Sequence, residues 1–277
     1  MQENIPLPNF LVIGAQKCGT TWMHYILRQH PKIYIPKCKE IHFFNKSKNY
    51  EKDIDWYKSH FQEVVNEKAI GEATPNYFWT SKDTYTYYSR TSNIPELVSH
   101  HIPNVKIILI LRNPVDRAVS AYYEHIRQGR ISPKSKISDV WNRYGIKSIG
   151  FYDIHLKRWM NYFEKDQFEI FIFEEDILKD RIKTYKKVYQ FLNVSRSFSP
   201  DSPHKKKKER KSHLFMRLKH VSTRLAHFVS ENIPRVQAIE RLARITVGQK
   251  ERQFLKNEYS SHIDELERML GRPLPWF

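Results

Sequence analysis

The chain is poor in the residues on which cross-linked, metal-clamped and fibrous folds depend. Only 2 cysteines, Cys18 and Cys38, occur among 277 residues, too few for a disulfide framework or a four-cysteine zinc site. Only 8 glycines are present, which excludes collagen-like sequence. Long apolar runs are missing too: stretches such as Ile107 to Leu111 fall far short of the ~18 residues that a membrane crossing needs. The stretch from Met1 to Asn9 carries Glu3, Pro6 and Pro8 and has no basic segment followed by an apolar one, so it does not read as a secretory signal. The two cysteines are therefore expected to be reduced thiols of a cytoplasmic protein.

What is abundant is positive charge and aromatic side chains. Lys and Arg total 47 against 30 Asp and Glu, a formal net charge of +17, which favours an anionic partner. Hydrophobic residues make up 40% and aromatics 14%, enough for a globular core without staples.

Phe10-Leu-Val-Ile-Gly14 reads as a short buried strand, and Trp22 to Gln29 as the helix after it, ended by Pro31. Val105 to Leu111 predicts a second strand, followed by a helix over Val115 to Arg127 with Pro114 in its first turn. Lys68 to Gly71 and Phe168 to Phe173 read as further strands, and Tyr152 to Phe163 and Thr184 to Leu192 as helices. Leu255, Tyr259, Ile263, Leu266 and Leu270 share one helical face, stopped by Gly271 and Pro273. Strands alternating with helices and no linker predict one α/β domain over residues 1–277, with a central, mostly parallel sheet flanked by helices. Two stretches are irregular: 128–149, expected to be a surface excursion, and 195–212, a basic loop carrying His204-Lys-Lys-Lys-Lys-Glu-Arg-Lys211. Trp56, Trp79 and Trp141 suit partly buried core more than sugar stacking.

The first strand runs into Gly14-x-x-x-x-Gly19-Thr20-Thr21, which has the glycines and terminal hydroxyl of a Walker A loop. Glycines let backbone N–H groups turn inward, and the following helix offers its positive end to an anion. Thr20 stands where a Walker loop has lysine, and Lys17 sits inside the loop instead, which weakens an ATP-hydrolysing reading. Arg112 lies at the carboxyl end of the second strand and Ser120 in the helix after it, a guanidinium and a hydroxyl suited to a second phosphate. Arg117 reads as a surface or ion-pair residue.

Gly14-Ala-Gln-Lys-Cys-Gly-Thr-Thr-Trp22 resembles the 5′-phosphosulfate loop of the sulfotransferases that use 3′-phosphoadenosine 5′-phosphosulfate (PAPS), and Leu111-Arg-Asn-Pro-Val-Asp-Arg-Ala-Val-Ser120 their 3′-phosphate motif. Lys39-Glu-Ile-His-Phe-Phe44 is similar to a segment of the heparan sulfate sulfotransferases. Gly71-Glu-Ala-Thr-Pro-Asn-Tyr77, Gly150-Phe-Tyr152 and the ending Leu-Glu-Arg-Met-Leu-Gly-Arg-Pro-Leu-Pro-Trp276 look like landmarks of bacterial-type members.

The resemblance implies a P-loop-like fold, PAPS as donor, the bisphosphate PAP as product, and no metal. It implies that Lys17, Cys18, Gly19, Thr20, Thr21 and Trp22 hold the 5′-phosphate and that Arg112 and Ser120 hold the 3′-phosphate. It further implies that the basic run, with Lys207, Lys208 and Arg210, closes over the 3′-phosphate and adenosine. The Lys-Gly-Arg pattern of the heparan sulfate enzymes is absent from that run, so a grip on an anionic acceptor stays open. Lys17 either follows the departing oxygen or anchors the phosphate; Glu40 is the candidate general base, with His42 its rival. Glu72 and Thr74 either border the acceptor or hold the loop, and Tyr152 packs at the site edge. The implied acceptor is a hydroxyl or amine of a carbohydrate, with no nucleic acid partner and no membrane span. O- or N-sulfation and oligomeric state are not set by these residues. The competing readings are a small-molecule kinase with an unusual phosphate loop and a basic polyanion- or nucleic-acid-binding protein.

Overall fold

Strand β1 (Phe10–Gly14), buried along its whole length, lies at the centre of the sheet in this computed structural model, which describes residues 5–80, 93–201 and 247–277. It pairs in parallel with β3 (Ala69–Ala73) on one side and β4 (Lys106–Leu111) on the other. The two-residue β2 (Ile33–Tyr34) extends the β3 edge and β5 (Phe168–Ile172) the β4 edge, giving the order β2-β3-β1-β4-β5. Central strands of a parallel sheet are covered on both faces, so they are written as continuous apolar runs, as in Ile107-Ile-Leu-Ile-Leu111, where every side chain is fully buried. Gly71 is required by the register: a Cβ there would lie 2.3 Å from the Phe10 carbonyl oxygen of the neighbouring strand.

Helices α1 (Thr20–Leu27), α2 (Ser47–Tyr50) and α3 (Asp53–Lys58) lie between β1 and β3, and α4 (Ile94–His101) precedes β4. After β4 come α5 (Pro114–Arg127), α6 (Ile137–Val140) and α7 (Tyr152–Met160), and after β5 come α8 (Arg181–Phe191) and α9 (Gln249–Leu270). Pro114 opens α5, whose first N–H groups are capped by the Asn113 side chain accepting from the Val115 and Asp116 amides. The α9 stripe Leu255, Tyr259, Ile263 and Leu266 is buried, and Gly271 ends the helix at φ 67°. α9 begins at Gln249, earlier than its apolar spacing shows, because its first turn is polar and solvent-facing.

The segment 128–149 departs from the expected surface excursion: Ile131, Ile137, Val140, Ile146 and Ile149 are all buried, at spacings too irregular to register as a helix or strand. Arg117 departs with it. Its side chain is fully buried, and its guanidinium donates to the Gly145 carbonyl at 3.2 Å and to the Ile146 carbonyl. An irregular segment packed inward leaves carbonyls without ladder partners, and this arginine supplies their donors. Trp79 is buried, Trp56 packs on Phe43 and His60, and Trp141 stacks on Phe254 at 4.2 Å, so the tryptophans are packing residues as expected. No helix among the described residues is long and apolar enough to cross a membrane.

Candidate active site

The carboxyl ends of β3, β1 and β4 open side by side, the edge at which parallel α/β sheets bind ligands. At the end of β1 the chain turns through Lys17 at φ 71° and Gly19 at φ 99°, the left-handed conformation that glycine adopts without cost. A Cβ on Gly19 would also crowd the Phe173 ring at 3.1 Å. Gly19 then starts α1 with no side-chain cap and no acid in the first turn, which leaves the positive end of the helix suited to an anion. Thr20 is buried and Thr21 exposed, so the two hydroxyls face different surroundings.

Cys18 points inward and is fully buried, with its Sγ 3.8 Å from the Tyr152 hydroxyl. Burial pushes its thiol up to about 12, against the smaller opposing effects of Arg117, the Tyr152 hydrogen bond and Arg112. Because the thiolate is the reactive form, iodoacetamide at mildly alkaline pH is expected to label exposed Cys38 in the native protein and Cys18 only after unfolding. Peptide mapping checks this; equal native labelling of both would show that the loop opens readily.

Arg112 leaves β4 half-buried, its guanidinium 4.9 Å from the Phe173 ring and its NH1 donating to the Lys17 carbonyl at 3.4 Å. Its Nε is buried and has no hydrogen-bond partner among the described residues, an arrangement that an anionic oxygen would complete. The Arg112 carbonyl accepts from the Tyr152 hydroxyl at 2.8 Å, so Tyr152, itself buried, ties the phosphate loop at Cys18 to the β4 end. Glu174 braces the same corner, one oxygen accepting from the Asn113 amide at 3.0 Å and the other from the Trp276 indole at 2.9 Å. Ser120 is half-buried on α5, and Glu124 follows one turn later on the same face. The Glu124 carboxylate lies 3.2 Å from Lys17 Nζ and also accepts from Arg127 and Gln128. Burial alone would raise Glu124, but the Arg127 hydrogen bond and the Lys17 charge outweigh it and hold the carboxyl at about 2.

Glu40 and His42 stand beyond β2, both in the left-handed region at φ 72° and 59°, and they flank Ile41, which is buried. Non-glycine residues adopt that conformation uncommonly and at some cost. Beside this segment lies Glu72 on β3, fully buried, whose carboxylate accepts from Tyr57 and Tyr77 at 2.8 Å each and from Thr74 at 2.7 Å. Thr74 Oγ1 in turn accepts the His42 amide at 3.4 Å, and the Tyr77 hydroxyl accepts the Phe43 amide at 3.0 Å. Burial raises the Glu72 carboxyl, partly countered by those hydroxyl donors. Of the two roles open to Glu72 and Thr74, the contacts are those of a loop holder. Glu40 lies 2.8 Å from Lys39 Nζ and 3.5 Å from His42 Nε2, while His42 Nδ1 faces Asn45 at 3.1 Å. Burial would raise Glu40, yet the His42 and Lys39 contacts win and set it at about 2.

Comparison with known proteins gives this geometry its family. The model of the sulfotransferase domain matches residues 7–270. The chain belongs to the sulfotransferase domain family. A membrane-associated sulfotransferase, kil1, of Dictyostelium discoideum is 40% identical over 124 residues, covering 44% of this chain and 24% of that protein. Heparan sulfate glucosamine 3-O-sulfotransferase 5 of Mus musculus is 27% identical over 201 residues, covering 68% of this chain and 54% of that protein. The chain thus spans about half or less of the length of these curated relatives. A crystal structure of a sulfotransferase from Alicyclobacillus acidocaldarius superposes with a TM-score of 0.70 at 25% identity, covering 98% of each chain.

In this sulfotransferase domain the glycine loop and Arg112 follow the ends of the adjacent strands β1 and β4, Ser120 lies on α5 beyond β4, and the Glu40–His42 segment is tied to the end of β3. Lys207, Lys208 and Arg210 lie outside the described residues. Sequence reasoning passed over Glu124, although its spacing of four from Ser120 places it on the same helical face. It also passed over Phe173, Glu174 and the role of Trp276, which meet only through folding. Their sole signal was the familiar ending that contains Trp276.

Proposed function

We propose that this sulfotransferase domain transfers a sulfuryl group from PAPS to a hydroxyl or amine of a carbohydrate or glycoconjugate. The observation that carries this reading is the buried, unpartnered Arg112 Nε beside a phosphate loop whose lysine lies inside it. In this reading residues 17–22 hold the 5′-phosphate, and Arg112 and Ser120 hold the 3′-phosphate. Lys207, Lys208 and Arg210 add charge over the adenosine end. The acceptor oxygen or nitrogen forms its bond to sulfur as the bond from sulfur to the 5′-phosphate oxygen breaks. The electron pair stays on that oxygen, where the Lys17 ammonium offsets the new charge without a metal.

Glu40 takes the acceptor's proton. Held at about 2 by its contacts with His42 and Lys39, its carboxylate is a weak base, so productive acceptor binding has to loosen at least one of those contacts. His42 is the orienting partner in this scheme, because both of its ring nitrogens already face side chains. A glycan acceptor is supported by the resemblance to the heparan sulfate enzyme and by the +17 net charge. A cytoplasmic setting is supported by the sparse cysteine usage.

Titration calorimetry with PAP in magnesium-free buffer, with ATP and AMP as controls, tests the donor. Micromolar affinity that prefers PAP is expected. Silence towards PAP, with ATP binding only once magnesium is added, would overturn the reading in favour of a kinase.

A further inference from the structure

Lys17 is the one charged side chain inside the phosphate loop, and its ammonium is already engaged, 3.2 Å from the Glu124 carboxylate on α5. We infer that Glu124 is a positioning residue that competes with the sulfuryl donor for the Lys17 ammonium and so restrains transfer of the sulfuryl group to water when no acceptor is bound. The inference rests on the donor reading given above.

Three features make Glu124 a standing competitor and not an incidental surface partner. Its side chain keeps only 20% of its exposure and that of Lys17 26%, so solvent screens the pair less than an open surface bridge. The carboxylate is held from its other side by the Arg127 guanidinium and by the Gln128 amide at 2.7 Å, so it cannot swing away with the lysine. It also stands one helical turn beyond Ser120, on the α5 face assigned to the donor.

A donor arriving at the loop brings its own negative charge, and a single ammonium cannot satisfy both anions at full strength. Glu124 therefore weakens donor binding and keeps Lys17 from fully stabilising the leaving oxygen. Transfer to water consists of a water oxygen bonding to sulfur while the sulfur bond to the 5′-phosphate oxygen breaks. The electron pair stays on that oxygen, and PAP, sulfate and the two protons of the water are released. This side reaction depends on Lys17 in the same way as productive transfer does, so the restraint acts on it directly.

The test is a cycle of Glu124→Gln, Lys17→Met and the double variant in the full chain, read by PAP calorimetry and by acceptor-free release of PAP from PAPS. Glu124→Gln is expected to tighten PAP binding about 3- to 10-fold, the scale of one partly shielded ion pair, and to speed acceptor-free release. Both effects are expected to vanish in the Lys17→Met background, which a merely structural role of Glu124 would not produce. Unchanged or weakened PAP binding in folded Glu124→Gln overturns the inference. So does an effect that persists undiminished without Lys17, because Glu124 would then be acting on the donor itself. If the glutamine variant fails to fold, Glu124→Asp retains the charge but withdraws it by one methylene, and it is expected to shift both readouts in the same direction. Parent protein that binds no PAP overturns the donor reading and this inference together. PAP binding that Lys17→Met weakens but Glu124→Gln and Glu124→Asp leave alone overturns the inference only.

Discussion

Replacing Glu40 by glutamine is expected to lower turnover by about 100- to 10,000-fold while leaving PAP affinity within about twofold of the parent, the range for loss of a positioned general base. Glutamine keeps the size of the side chain and an oxygen for Lys39 but cannot accept a proton. The fold is not at stake. Glu40 is 37% exposed, so its pairing with Lys39 is largely screened and adds little stability. A carboxyl lowered from 4.5 to about 2 makes its contribution above the unfolded value and loses it progressively as pH falls from about 4.5 through about 2. The same displacement fixes the pH profile. kcat/KM reports ionisations of the free protein, so Glu40 itself imposes no acidic limb until well below its ordinary range. Steady-state turnover and thermal unfolding of the variant check this together. Normal turnover in a folded Glu40→Gln protein would remove Glu40 as the base and pass the role to His42, whose replacement would then carry the large loss.

How much of this was legible in the sequence depends on the range over which each feature is encoded. β1 and β4 were legible because strands buried on both faces are written as apolar runs, β5 because four of its five residues are apolar although it lies at the sheet edge and carries Glu169, and α5 because Asn113 and Pro114 write its start locally. The phosphate loop was legible because glycine spacing records a backbone constraint. β2 was not, since two residues, Ile33 and Tyr34, make no pattern. Nor was the turn from Phe173 to Ile177, which replaces the end of the strand expected over Phe168 to Phe173 with a π-helical turn that brings Phe173 against Gly19 and Arg112. The burial of Arg117 reversed the usual expectation for a charged residue, because the carbonyls it serves lie 28 and 29 positions away. The left-handed backbone at Glu40 and His42 leaves no mark in residue type, and the network of Glu72, Thr74 and Tyr77 that holds the His42 and Phe43 amides comes from another strand end. The site is thus readable where local geometry dictates residue type, and unreadable where two distant segments meet.

Replacing Arg112 by alanine is expected to weaken PAP binding by about 1.5–3 kcal/mol, or about 10- to 150-fold, the cost of removing a charged hydrogen-bonding partner from a phosphate. The neighbouring structure should survive, because Arg112 holds the site in place mainly through its backbone. The carbonyl that accepts from Tyr152 remains, as do the Asn113 cap and the Glu174 bridge to Trp276. What disappears is the guanidinium over Phe173 and a long 3.4 Å contact to the Lys17 carbonyl, neither of which anchors the sheet. Arg112→Lys is expected to recover only part of the affinity, since an ammonium restores charge but not the planar fork that reaches two phosphate oxygens. Calorimetry with PAP and with adenosine 5′-phosphosulfate, which lacks the 3′-phosphate, separates the two phosphates. The alanine variant should lose affinity for PAP and little for the second ligand. Equal losses for both would place Arg112 on the 5′ side, next to the loop whose carbonyl it already touches. Unchanged PAP affinity would move the 3′-phosphate away from the β4 end altogether and leave the basic run around Lys207, Lys208 and Arg210 to hold it.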